Sequence, residues 1–211
     1  MNKPPYVFIF VFLGVATLIA GCTEDFTGDI FDPRLPEYSE NGSNHAGAYI
    51  NDEPWRSFPR YSFKGSGDLP YFLFDSISDT YTLRFPQGNM ITPSGAHGAV
   101  IYMRFILSAQ ALAPAIDGTA EYPLVISLDG EEARAELNRG SALWVSDPSE
   151  TCASVQGLIH IRNLHTATVD NRRHGSIAGT FGFDIDDECG IYEVRSGRFD
   201  FSFRCAGASC F

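Results

Sequence analysis

The 211-residue chain reads as all-β, a single antiparallel β-sandwich or barrel-like domain that follows an N-terminal targeting segment and a flexible linker. Three observations predict this class. Apolar and polar residues alternate over four separate stretches, the period of strands with one buried face. Clusters of Gly, Asn, Asp, Ser and Pro separate those stretches. The 17 Phe and 9 Tyr supply the bulk of a half-buried pleated surface. Many short strands with frequent turn signals build sandwiches or barrels, and both stay open here.

The first element stands outside the domain. Lys3 forms a positive n-region, residues 7–20 form an apolar h-region, and small residues precede a cysteine. The run is shorter than the roughly 20 residues that span a bilayer core of about 30 Å, which disfavours a transmembrane anchor. A plain cleaved secretory signal is the other alternative. Ile19-Ala20-Gly21-Cys22 resembles a bacterial lipobox. The resemblance implies that residues 1–21 are a lipoprotein signal peptide and that Cys22 is the lipidated mature N-terminus. It also implies a diacylglyceryl thioether plus an N-acyl chain, since one chain alone anchors only marginally. The membrane partner is then reached through Cys22, and the address is the outer membrane.

Residues 22–45 follow as the lipidated Cys and an acidic linker. Residues 23–45 carry six acids against one Arg and no apolar period, too little to fold alone. As a flexible coil they would span about 25–30 Å. Glu24-Asp25 directly after Cys22-Thr23 resembles the acidic export signal of Bacteroidota-type surface lipoproteins. That implies a surface-exposed domain, against a periplasm-facing one. Loss of Lys3 with the signal takes the formal net charge from −11 to one unit more negative. Such acidity argues against nucleic acid and against anionic headgroups as partners.

Residues 46–211 form the β domain. Tyr81, Leu83 and Phe85 share one strand face. Ile101, Met103, Phe105 and Leu107 share another. Gly179, Phe181, Phe183 and Ile185 form a third, and Phe199, Phe201, Phe203 and Cys205 a fourth. Turn signals lie at residues 64–68 and 86–89, and at Asp129-Gly130, Asn138-Arg139-Gly140, Asp170-Asn171 and Ser196-Gly197. Residues 108–116 alone look helical, and Ala113-Pro114 should stop that helix early.

Cys152, Cys189, Cys205 and Cys210 remain after Cys22. An even number in an exported chain favours two disulfides with three connectivities. If residues 156–164 pair with 177–185, Cys152 and Cys189 lie at one end of the hairpin. If 178–185 also pair with 198–205, Cys205 lies at the other end. The expected bonds are Cys152–Cys189 and Cys205–Cys210, contributing about 4 and ~2 kcal/mol in the chain-entropy model. The CxxC-like pairs of a zinc site are absent.

Asp184, Asp186, Asp187 and Glu188 form the densest acidic run, at an expected hairpin tip. A Cys152–Cys189 bond would bring Asp147 and Glu150 beside them. These carboxylates are the candidate metal site, and the metal they suit is calcium, a hard ion that takes six to eight oxygens. The spacing is not that of an EF-hand, and a solvated acidic turn is the alternative. No other cofactor is implied. His165 and His174 flank Asp170-Asn171 and could face each other, but a third zinc ligand is not evident. His160 shares a face with Arg162 and reads as a surface residue.

Nucleophile signatures are missing: there is no Gly-x-Ser-x-Gly, Ser-x-x-Lys or His-Glu-x-x-His. No Gly-rich strand-to-helix loop cradles a phosphate. Tyr61, Phe63, Tyr71, Phe72 and Phe74 could line a carbohydrate or peptide groove, or belong to the core.

Three stretches resemble a family of Bacteroidota-type lipoproteins with a β domain of unknown function. Ala46-Gly-Ala-Tyr-Ile-Asn-Asp-Glu-Pro-Trp55 is similar to the family's opening hairpin, with Asp52 where Gly is usual. Gly118-Thr-Ala-Glu-Tyr-Pro-Leu124 is similar to a mid-domain segment. Ile177-Ala-Gly-Thr-Phe-Gly-Phe183 with Ser196-Gly-Arg-Phe-Asp200 is similar to the closing hairpin. The cysteine set departs from the family pattern. The resemblance carries no catalytic residue and implies scaffold roles, with Trp55 a core anchor.

The expected function is therefore that of an outer-membrane-anchored lipoprotein, not an enzyme, binding a glycan or protein ligand. A structural or accessory envelope protein, and a hydrolase with a hidden site, are the alternatives.

Overall fold

The computed structural model describes residues 34–40, 42–57, 70–91, 97–139, 151–169, 172–187 and 190–204. The chain forms β1 (His45–Ile50), β2 (Glu53–Ser57), β3 (Tyr71–Asp75), β4 (Thr80–Arg84), β5 (Gly88–Ile91) and β6 (His97–Ser108). One helix follows, α1 (Ala109–Ile116). Then come β7 (Leu124–Ser127), β8 (Ala133–Arg139), β9 (Thr151–Ala153), β10 (Gln156–Val169), β11 (Arg172–Asp187) and β12 (Gly190–Arg204). All pairings are antiparallel, as the alternating pattern requires.

The strands form one continuous sheet of 12, running β7-β10-β11-β12-β1-β2-β5-β6. Beyond β5, β4 and β3 extend from the C-terminal half of β6, and β8 and β9 from its other edge. The sheet curls on itself as a half-barrel, so residues of distant strands meet inside. Phe85, after β4, lies 5.3 Å from the Phe105 ring, 5.7 Å from Phe181, 5.4 Å from Phe199 and 4.9 Å from Phe201. Every apolar position assigned to the inner faces of these strands is buried, Cys205 lying outside the described residues.

Trp55 is fully buried, and its Nε1 donates to Ile101 O at 3.2 Å, which satisfies the indole N–H. Gly88 makes room for it, because a Cβ there would stand 2.1 Å from the indole. Asn51 and Asp52 form the two-residue β1–β2 turn with φ of 50° and 65°. Both central residues lie in the left-handed region, the type I′ geometry that matches strand twist.

Several turn and breaker expectations are corrected. Pro114 lies inside α1, which continues to Ile116. Burial of Leu112 and Ala115 and the Ser108 cap, whose Oγ accepts from Ala111 N at 3.1 Å, hold the helix despite the missing N–H. Asn138 and Arg139 belong to β8. Ser196-Gly197 is no hairpin turn: Ser196 has φ 53° within β12, where the register to β11 shifts between Phe181 and Phe183. The extra residue is absorbed as a bulge, which uses the same backbone geometry as a turn. Residues 64–68 and Asp170-Asn171 lie outside the described residues. Among the described residues, no helix is long and apolar enough to cross a membrane.

Candidate functional site: a groove on the outer face of the sheet

The acidic stretch read as a tether is docked over its second half, from residue 34 on. Leu35 is fully buried, and Pro36 rests over Gly47, where a Cβ would stand 2.3 Å from Pro36 Cδ. Arg56 Nε donates to Arg34 O, Arg198 Nη1 donates to Pro36 O at 3.3 Å, and the Arg162 guanidinium lies 5.8 Å from the Tyr38 ring centre. Residues 34–40 thus cross the outer face of the sheet from β2 towards β10. The chain then returns to Asp200. Gly42 N donates to Asp200 Oδ1 at 2.7 Å, Ser43 N and Oγ donate to Oδ2 at 3.0 Å, and Ser39 Oγ also donates to Oδ2. The flexible linker expected at 22–45 is therefore corrected from residue 34 on. Its apolar Leu35 and Pro36 and the carboxylate of Asp200 outweigh the low apolar content.

Beside this strap the outer face of β10, β11 and β12 carries an open groove of about 720 Å³. Its lining includes Tyr38, Gln156, Leu158, His160, Thr180, Gly182, Asp184, Arg195 and Arg198. The ladder explains the set. His160, Thr180 and Arg198 are aligned across three strands, as are Leu158 and Gly182 across two. These positions alternate with the buried Ile159, Phe181 and Phe199, so their side chains face outward. Gly182 puts no side chain into the hollow opposite Leu158, which is 46% exposed.

One end of the groove is charged. Arg195 Nη2 pairs with Asp184 Oδ1 at 2.6 Å and Arg195 Nε with Glu193 Oε1 at 2.9 Å, while Gln156 Nε2 donates to Asp184 Oδ2 at 2.8 Å. Burial pushes the Asp184 carboxyl up, but the Gln156 amide and the Arg195 guanidinium outweigh it, and the net shift is below the ordinary aspartate value. At the strap, burial and the neighbouring Glu40, which accepts from the phenol at 2.7 Å, push Tyr38 above the ordinary tyrosine value.

The calcium candidates separate accordingly. Asp184 is committed to Arg195 and Gln156, and Asp186 is exposed near the β11–β12 turn. The Asp187 side chain, Glu188, Asp147 and Glu150 lie outside the described residues. Among the described residues no group of three or more His, Cys, Asp or Glu is placed to hold a metal. His165 and His174 are not opposite each other: His165 faces Ser176 and His174 faces Ala167, which leaves them diagonal on one face. Cys152 is buried on β9, and Cys22, Cys189, Cys205 and Cys210 lie outside the described residues.

Of the two readings of Tyr71, Phe72 and Phe74, groove or core, the structure shows the core for Phe72 and Phe74. Phe72 is a core residue stacked 5.2 Å from Tyr81, Phe74 packs on the core, and Tyr71 lies beneath Arg84 at 5.4 Å. Tyr61 and Phe63 lie outside the described residues. Of the groove residues missed by sequence reasoning, Thr180 and Arg198 lie in the closing-hairpin motifs read as scaffold, while Tyr38, Leu158 and Arg195 carry no motif. The one signal was the pair of outward positions left small at Thr180 and Gly182. Glu136 was missed too, a buried carboxylate held by Arg104 Nη2 at 2.5 Å and Arg134 Nε at 2.7 Å.

No family model, curated protein or solved structure matches this chain.

Proposed function

We propose that this chain is a lipid-anchored, non-enzymatic binding module of the outer membrane, akin to the Bacteroidota-type lipoproteins its motifs resemble. The observation that carries the reading is the groove beside the strap, an open concavity with polar groups and an exposed leucine on a rigid sheet. Cys22 is the proposed anchor. Eleven residues separate it from the docked strap at Arg34, a reach of at most about 40 Å. The domain is thereby held close to its membrane, surface-exposed or periplasm-facing.

The proposed bonds are Cys152–Cys189 and Cys205–Cys210. In support of the first, Gln156 pairs with Asp184, so the chain before β10 and the chain after β11 lie at the same end. Arg204, next to Cys205, pairs with His174 at the far end of β11, about 40 Å away at ~3.4 Å per residue.

A thermal-shift screen on residues 23–211 tests the function, with calcium, EDTA, neutral oligosaccharides and peptides as probes. A ligand at a hundred times its Kd should add ~2.7 kcal/mol. A shift abolished by Thr180→Arg, which fills the groove from an outward position, supports the reading. Flat curves with every probe overturn it. The anchor is tested separately, by the mass of the N-terminal peptide of the membrane fraction and by release of a Cys22→Ser variant.

A further inference from the structure

We propose that the open end of the curled sheet, beside the β1–β2 turn, takes a small organic cation: a primary amine with an apolar body, its ammonium on Glu53. This site is separate from the groove on the outer face and does not rest on it. A cavity of about 390 Å³ lies there, and its lining includes Ile50, Glu53, Met90, Ala99, Ile101 and Tyr192. That size is within the range of small-molecule sites. The ladders bring the set together. Ile50 of β1 pairs with Glu53 of β2 and with Val194 of β12, and Met90 of β5 pairs with Trp55 of β2. Ile50, Met90, Ile101 and Tyr192 are buried members of the core. Ala99 lies two residues before Ile101 on the same strand face, yet it is exposed, so the inner face is open to solvent at this end.

Glu53 is out of place for a scaffold. Alternation along β2 puts it on the face of Trp55 and Ser57, both fully buried. Among the described residues, no hydrogen bond or ion pair holds its carboxylate. Asn51, also at the cavity, is committed: its Nδ2 donates to Ile191 O at 3.2 Å and its Oδ1 accepts from Glu193 N at 2.8 Å. The surroundings of Glu53 narrow the ligand. Calcium takes six or more oxygens, and here one carboxylate stands among apolar walls and belongs to no metal-holding group. A sugar would leave most of its hydroxyls without partners. An anion would be repelled by Glu53 and by the net charge of −11. A primary ammonium makes a charge-assisted hydrogen bond to the carboxylate. Its apolar body then covers Met90, Ile101 and the Tyr192 ring.

The test is titration of the full chain, in neutral detergent micelles, with phenethylamine and hexylamine, and with phenethyl alcohol and hexanol as their uncharged counterparts. The melting temperature against concentration gives each Kd. The expected result is an amine Kd below about 1 mM, with the matching alcohol at least tenfold weaker. Glu53→Gln keeps the shape and removes the charge, so it should weaken the amine at least tenfold and leave the alcohol unchanged. Ala99→Phe fills the cavity from an exposed position and should abolish amine binding. Asp52→Asn removes the same charge at the neighbouring exposed turn residue and should change nothing. Unchanged amine affinity on Glu53→Gln or Ala99→Phe overturns the inference, and so does an equal loss on Asp52→Asn. It falls too if the alcohols bind as well as the amines, or if neither amine binds at about 10 mM.

Discussion

Asp200 lies between Phe199 and Phe201 on β12, yet it is only 3% exposed. Alternation places its side chain on the outer face, where a carboxylate would ordinarily be solvated. Instead it accepts hydrogen bonds from two backbone N–H groups and two hydroxyls of residues 39–43. Hydrogen bonds to a charged group are among the stronger ones, and removing the acceptor orphans the donors. Asp200→Ala should therefore cost about 3 kcal/mol in urea denaturation. It should also expose residues 34–44 to limited proteolysis, while Asp186→Ala, at an exposed position, should do neither. A domain cut at residue 45 would lose the same contacts, so the stable unit begins near residue 34.

In the β1–β2 hairpin, Asp52 occupies a left-handed position that glycine fills without a Cβ penalty. Asp52→Gly should stabilise the chain by about 0.5 kcal/mol, seen as a melting temperature raised by ~1–2 °C. In the β10–β11–β12 unit the space runs the other way. A Cβ on Gly179 would stand 2.2 Å from His160 O and 2.8 Å from the Phe199 ring. Backbone cannot yield as a flexible side chain can, so Gly179→Ala should destabilise by about 1–3 kcal/mol. Gly118→Ala meets open space, but its φ of 68° makes a smaller, purely conformational cost the expected result.

The molecule as a whole should resist mild acid and fail below it. Asp184 is held below the ordinary aspartate value as described. Asp75 is lowered by the Ile77 N–H and the Ser78 hydroxyl, and Asp129 by the Glu131 N–H and the Ser127 hydroxyl. A carboxyl lowered in the folded state contributes stability above its unfolded value of roughly 3.9. That contribution is lost as pH falls through the folded value. The urea midpoint should therefore owe no slope to these groups between about pH 7 and 5, and fall below about pH 4. Arg195→Gln should remove part of that acid loss; an unchanged acid limb would show that the Asp184 pair contributes nothing.

The strand character and buried face of residues 81–85, 101–107, 179–185 and 199–203, the Trp55 anchor and the Asn51-Asp52 turn were legible along the chain. Each rests on alternation or on the conformational preference of adjacent residues, and such information is local. Ser196-Gly197 carried a turn signal, but its use as a bulge within β12 was not legible, because that depends on the register of β11. The groove was not legible. It arises where Leu158, Thr180 and Arg198 are aligned by pairing and where Tyr38 is brought across the sheet. Composition alone made residues 34–44 a tether. Their docking depends on an acceptor 158 residues away in sequence, with Gly42 N donating to Asp200. Neither end of such a contact carries a signal until the sheet has curled and placed them together.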